Sequence, residues 1–333
     1  RIIKRGGGQQ TYSLRLEDTN GAQYVLRSVD KNVDGALPKE LRNTFAVDIV
    51  QDQISASNPY AAPVVARLAN QSRILHTNPE IFYVPDDPRF GIYRDDVANQ
   101  LFLFEERPDK DYPINDSAGI SAKVISTEDL VENITKNHNY TIDKNAVVRA
   151  RLFDVLINDW DRHDDQWRWA GVEQNGKIIY KPIPRDRDQA FFLNEGILPW
   201  ISARRWLLPK IQGFDEMTEN MDGQSFNARY FDRTFLINCS WSDWLSQIDT
   251  LKILLGNGEI DSAMLAFPLE VYSICGQETG QILKSRLDNL ETMARKLYLS
   301  LAREVNIYGT NKNDFFEIIY GDENLRIRGY KLL

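Results

Sequence analysis

Two short segments carry residue types whose spacing suits metal-centred chemistry: Asn158-Asp159-Trp160-Asp161-Arg162-His163-Asp164-Asp165-Gln166 and Pro184-Arg185-Asp186-Arg187-Asp188-Gln189. Between them, residues 167–172 and 177–183 read as strands flanking Asn175-Gly176, a dipeptide that favours a tight two-residue reversal. A hairpin brings its ends together. One acidic loop enters it and another leaves it, so Asp161 and Asp186 are expected on the same edge of a sheet. Converging carboxylates that ion pairs alone do not neutralise ask for a divalent cation, and all-oxygen ligation points to Mg2+ or Mn2+. Either segment alone is better read as a solvated turn with surface ion pairs, which are worth little. Their linkage through one hairpin, with apolar Ala190, Phe191 and Phe192 behind the second loop, favours a site.

Rigid elements must hold these loops. Asp143 is placed to cap a helix in which Val148, Leu152, Val155 and Leu156 recur at helical spacing, and that helix delivers the chain into the first loop. Near the start, residues 11–17 and 23–29 alternate in polarity around Asn20-Gly21, which predicts a second hairpin with Gly6, Gly7 and Gly8 at its mouth. Closely spaced glycines let backbone N–H groups approach a phosphate. The plainer reading of the triplet is a flexible segment. Arg27, on the second strand, is either a cation aimed at those phosphates or a solvated side chain.

Pro38 opens a helical run over residues 39–54, with Leu41, Phe45 and Ile49 on one face. Glu40, Asp48 and Asp52 lie on its polar flanks, and any one of them could pair with Arg27. Residues 62–68, 81–84 and 100–104 read as further strands. The run Leu101-Phe102-Leu103-Phe104 suits a strand buried on both faces. Glu105, Glu106, Arg107 and Pro108 follow, where proline ends the strand and polar groups could edge a ligand pocket.

Residues 109–143 form a polar connector with one short helix near 127–137. Beyond Phe192 the pattern is helical, and Trp200, Trp206, Leu207, Leu208, Phe231, Phe235, Leu236, Trp241 and Trp244 read as core. Leu283, Leu287, Leu290, Ala294, Leu297 and Leu301 form one stripe along a long packing helix. Residues 307–319 read as a strand, a turn around Gly309-Thr310-Asn311-Lys312, and a strand. The expected division is therefore 1–108, 109–305 and 306–333, the last being the possible start of a following domain.

The chain has 333 residues, 42% hydrophobic and 26% charged, with a net charge of −8. That is the composition of an ordinary globular protein, and the acidity argues against a nucleic-acid binder that relies on counterion release. Two cysteines, Cys239 and Cys275, do not make a disulfide framework or a metal knuckle. No spanning helix or secretory signal is evident, and the segment is expected to be a piece of a longer polypeptide.

The order of these features resembles the atypical protein kinase-like fold, most closely the CotH-type spore-coat kinases and more distantly the secreted Golgi kinases. The resemblance covers residues 6–192. Asn158-Asp159-Trp160-Asp161-Arg162-His163 looks like their Gly-Asn-x-Asp-Arg-His loop, and the segment 183–191 is similar to Ile-Pro-Trp-Asp-x-Asp-x-x-Phe of the CotH kinases. It implies an α+β, bilobal fold with a strand-rich N-lobe and a mainly helical C-lobe. It also implies Mg2+- or Mn2+-dependent phosphoryl transfer from ATP to a protein or small-molecule acceptor.

In that frame Asp161 matches the aspartate that orients the accepting hydroxyl. Asp186 and Gln166 match metal-holding positions, with Asp188 assisting. Gly6, Gly7, Gly8, Arg27 and Glu105 fall at the nucleotide, Arg27 standing where the family has a phosphate-pairing lysine. Gln166 is a weaker metal ligand than Glu, and Arg27, Trp160 and Arg185 also depart from the family pattern. These departures favour an inert pseudokinase-like module or an altered reaction such as nucleotidyl transfer. A fainter likeness is to the middle region of long exported metallophosphoesterase polypeptides of Gram-negative bacteria. It implies an envelope location, periplasmic or outer-membrane, among other domains. His76, His138 and His163 are too few for the dimetal centre of such enzymes.

Overall fold

The computed structural model describes residues 1–6, 12–30, 57–108, 110–113, 121–192, 212–303, 305–321 and 325–331. The first part is a five-stranded antiparallel sheet in the order β1-β2-β3-β5-β4. Its strands are β1 (Ile2–Gly6), β2 (Ser13–Glu17), β3 (Gln23–Ser28), β4 (Glu80–Val84) and β5 (Gln100–Glu106). The hairpin around Asn20-Gly21 is β2–β3, with Gly21 at φ 85 as such a turn requires. An additional strand, β1, precedes it. Gly6 is the last residue of β1 and pairs with Ser13, while Gly7 and Gly8 lie outside the described residues, as does the helix expected over 39–54.

Residues 62–68 are not a strand. They belong to helix α1 (Ala61–Gln71), whose buried residues Ala61, Val64, Val65, Leu68 and Ala69 fall at helical spacing. The Pro63-Val64-Val65 run suggests a strand, but proline in a first helical turn removes no intrahelical bond, and burial of one face overrides the β-branched preference. Strand β5 is also less enclosed than expected. Phe102 and Leu103 are buried but Leu101 is 37% exposed.

The second sheet runs β6-β7-β9-β10-β8, with β6 (Lys110–Pro113), β7 (Ser121–Ser126), β8 (Tyr140–Ile142), β9 (Trp167–Gln174) and β10 (Lys177–Pro184). The hairpin β9–β10 is the one expected, with Asn175 at φ 51 and Gly176 at φ 73 in its turn. Helix α2 (Thr127–Lys136) is fixed at its start by a reciprocal Ser126–Asp129 capping box.

Helix α3 (Lys144–Leu156) starts at Asp143, whose side chain accepts from the Ala146 N–H. Nine of its residues are buried, among them the charged Arg151 and Asp154. It is therefore a central helix rather than a surface one. Around it lie α4 (Arg229–Phe235), α5 (Trp241–Leu255), α6 (Glu259–Met264), α7 (Gln277–Asp288) and α8 (Leu290–Leu301). The architecture is thus α+β, strand-rich at the start and mainly helical later.

The leucine stripe of residues 283–301 is buried as expected, but on two helices rather than one, because the chain breaks at Asn289. Phe231, Phe235, Leu236 and Trp244 are core, Trp241 is partly buried against it, and Trp200, Trp206, Leu207 and Leu208 lie outside the described residues. The C-terminal hairpin is displaced from its expected position. Strands β11 (Asp314–Tyr320) and β12 (Leu325–Lys331) follow the Gly309-Thr310 segment. That segment is instead a tether: Thr310 donates its N–H to Asp314, Asp314 pairs with His138 at 2.9 Å, and the Asn311 N–H donates to the Thr135 carbonyl. Cys239 and Cys275 are free thiols, and burial pushes Cys239 up to about 11. Among the described residues no helix is long and apolar enough to cross a membrane.

Candidate functional site

The two acidic loops come together at the open end of β9–β10. The Arg185 N–H donates to the Gln166 carbonyl at 2.9 Å, and the Phe191 N–H donates to the Ile157 carbonyl at 3.0 Å. Both loops turn through left-handed backbone, at Asn158 (φ 58) and Asp186 (φ 56), residue types that tolerate it.

Beneath them lies a buried ionic layer. Asp154 of α3 accepts from Arg162 Nε at 3.2 Å on one oxygen and from Arg187 Nη2 at 3.1 Å on the other. Arg162 comes from the first loop and Arg187 from the second, so a single carboxylate ties both to one helix. Arg162 also stacks over Trp167 and Arg187 over Phe153. Burial pushes the Asp159 carboxyl up to about 7, with Arg162 opposing and Asp154 reinforcing.

The end of α3 is held as well. Arg286, fully buried, donates to the carbonyls of Leu156 and Val155, both at 2.7 Å, and to the Thr218 hydroxyl at 3.0 Å. These carbonyls form the negative end of the helix dipole, and the Asp215 carboxylate adds a favourable charge against the burial that lowers this arginine.

The sequence-predicted residues divide into two groups. Arg27, Glu105, Asp186 and Asp188 line one cleft, together with His76 and Thr77. Its apolar wall includes Val65 and Ala66 of α1 and Leu103 of β5. Arg27 lies opposite Leu103 in the ladder, so Glu105, two residues on, shares its face.

Within the cleft Arg27 donates Nη1 to Asp186 and stands 3.6 Å from Glu105. Burial opposes its charge, but the carboxylates of Asp186, Glu105 and Asp188 prevail and raise it further above the ordinary arginine range. Burial pushes Glu105 up, against the pull of Arg27, and the Thr77 hydroxyl donates to it at 3.0 Å. Burial likewise lowers His76.

Asp161 and Gln166 belong to the other group and are not part of that lining. Asp161 Oδ1 accepts from Asn227 Nδ2 at 2.6 Å. Gln166 is buried and its side-chain oxygen accepts from Arg162 Nη1 at 2.6 Å. The loops therefore meet, while the carboxylates of Asp161 and Asp186 have different partners. Among the described residues no three His, Cys, Asp or Glu side chains converge to cage a metal.

Asn227, Asp154, Arg286 and Thr77 are the residues sequence reasoning passed over. A charged residue among the apolar, core-facing positions of the helix is a readable sign for Asp154. Nothing local signals Asn227, which is 66 residues from its partner.

Neither a family model nor a curated protein matches the chain. Solved structures similar to it include the following three. One is the proinflammatory kinase CtkA of Helicobacter pylori, at 11% identity over 87% of this chain and 94% of that one, TM-score 0.38. Another is HipA of Shewanella oneidensis MR-1, in a complex with HipB and operator DNA, at 10% identity over 89% and 67%, TM-score 0.41. The third is the Rio2 kinase of Chaetomium thermophilum, in a complex with ADP, Mg2+ and phosphoaspartate, at 11% over 90% and 71%, TM-score 0.39. Likeness at this level does not assign an activity.

Proposed function

We propose that this protein is an ATP-using phosphotransferase of the atypical, CotH-like kinase type, with the nucleotide's phosphates in the cleft between β3 and the second acidic loop. The observation that carries the reading is the cleft itself, where a cation from a strand meets two carboxylates, Asp186 and Asp188, from a loop. Phosphoryl transfer needs this opposition, because the protein's task is to position partners and balance phosphate charge.

Arg27 is fixed in charge and can bind phosphate oxygens in a bidentate manner. Asp186 and Asp188 would hold Mg2+ or Mn2+. Two carboxylates without a full protein cage suit a cation that takes its remaining oxygens from phosphate and water. When bound, that ion neutralises charge between the β- and γ-phosphates. Asp161 accepts the proton of the acceptor hydroxyl, and Gln166 supports the loop from which Asp161 projects. An envelope setting within a longer polypeptide is part of the same proposal.

A second reading, a non-catalytic nucleotide-binding or scaffold module, draws on the engagement of Asp186 by Arg27 and of Gln166 by Arg162. Titration calorimetry with MnCl2 and ATP tests the first reading: heat and thermal stabilisation are expected with the native chain, and their loss in Asp186→Ala. If neither appears with the native chain, the nucleotide reading is wrong. Transfer of label from γ-labelled ATP that falls about a hundredfold or more, to a still measurable rate, in Asp161→Asn would exclude the non-catalytic module.

A further inference from the structure

Asp161 is held from outside its own loop. The segment that reaches it, residues 225–232, is fixed at both ends on α3 through one buried side chain. Arg151 donates Nε to Asp232 Oδ1 at 2.7 Å, Nη2 to Asp232 Oδ2 at 3.2 Å, and Nη2 to Ser225 Oγ at 3.2 Å. Phe231 in the same segment stacks on Trp167 with ring centroids 3.9 Å apart, and Trp167 is the residue that follows the first acidic loop. Helix α3 also delivers that loop. Asn227 and Asp161 thus hang from the same helix by two short routes, and their side chains close the circuit at 2.6 Å.

The contact is specific in what it leaves open. Asp161 is half-buried and makes no ion pair among the described residues, and its second oxygen accepts no hydrogen bond there. An amide is a neutral donor. It fixes one carboxylate oxygen without supplying a cation that would weaken the other as a proton acceptor. A lysine or arginine in its place would neutralise the group it orients.

We infer that Asn227 is a positioning residue, which turns the Asp161 carboxylate so that Oδ2 is presented to the acceptor hydroxyl. This rests on the phosphotransferase reading. It goes beyond that reading by assigning a role to a residue from the helical part of the chain.

A double-mutant cycle in the full chain tests it, with transfer or hydrolysis of γ-labelled ATP as the rate. Asn227→Ala should lower kcat about tenfold, a modest share of what a placed general base contributes, and leave KM for ATP unchanged. In an Asp161→Asn background the same substitution should change nothing, since the group it orients is already disabled. Asn227→Ser, which keeps a short donor, should recover part of the rate. A loss that multiplies with that of Asp161→Asn, or one that appears in KM for ATP, overturns the positioning role alone. A native chain that turns over no ATP removes the phosphotransferase reading and this role with it.

Discussion

Asp154 is the residue whose removal should cost most. Its carboxylate is fully buried and serves two arginines, Arg162 at 3.2 Å and Arg187 at 3.1 Å, which are themselves almost entirely enclosed. Asp154→Ala leaves two guanidinium groups facing a common void. Arg162 retains a contact with Asp159 at 3.5 Å, whereas Asp154 is the carboxylate that pairs with Arg187. Removing one partner of a buried ion pair costs about 3–5 kcal/mol, because the other charge is left uncompensated. For a chain of this size a urea m-value of about 3 kcal/mol/M turns that into a midpoint lower by roughly 1 M or more. Tryptophan fluorescence is a suitable probe, since Trp167 lies under Arg162. Asp154→Asn keeps the shape and loses the charge, and it should fall most of the way towards alanine. A midpoint within about 0.3 M of the native chain for both variants, under the same m-value, would refute the reasoning. An asparagine variant as stable as the native chain would show that shape, not charge, holds the loops.

Two further outcomes follow from the same geometry. Burial raises the Asp159 carboxyl from near 4 to about 7, so the folded state holds its proton more tightly than the unfolded one. Its contribution to stability is fully present at low pH and is lost as pH rises through about 7. Asp159→Asn, which cannot ionise, should therefore compare more favourably with the native chain at pH 8 than at pH 5, as read from urea midpoints at the two pH values. On β9, a Cβ added at Gly171 would lie 2.8 Å from the Tyr180 ring and 3.0 Å from Ile178. Gly171→Ala should cost about 1–3 kcal/mol by overpacking, and Gly171→Ala with Tyr180→Leu should restore part of it in thermal melts.

What could be read from the sequence is what is decided locally. Asn175-Gly176 fixes a left-handed turn within two residues, and Asp143 needs only the next helical turn to act as a cap. Both appear where they were expected, and with them the meeting of the two loops. Helix α1 departs from the expected strand because Val64 and Val65 favour strands locally while their burial depends on partners far along the chain. The break at Asn289 leaves the apolar period intact and so is silent in the sequence. The hairpin β11–β12 was displaced because Gly309-Thr310, a turn by composition, is recruited by His138. In the candidate site, the types of Arg27, Glu105 and Asp186 pointed to a polar pocket, but their contact joins residues 159 positions apart. That the carboxylate of Asp161 would answer to Asn227 depends on the route of a segment in the helical part, which no local pattern encodes.

Arg27 reaches Asp186 with one nitrogen and has a second anchor, Glu105, in its own sheet. A positive ion that takes Oδ1 of Asp186 displaces a resident, and the resident falls back on a neighbouring acid instead of water. Occupancy there is an exchange, so the apparent affinity of a newcomer reports an advantage over Arg27 and not the strength of its own bonds.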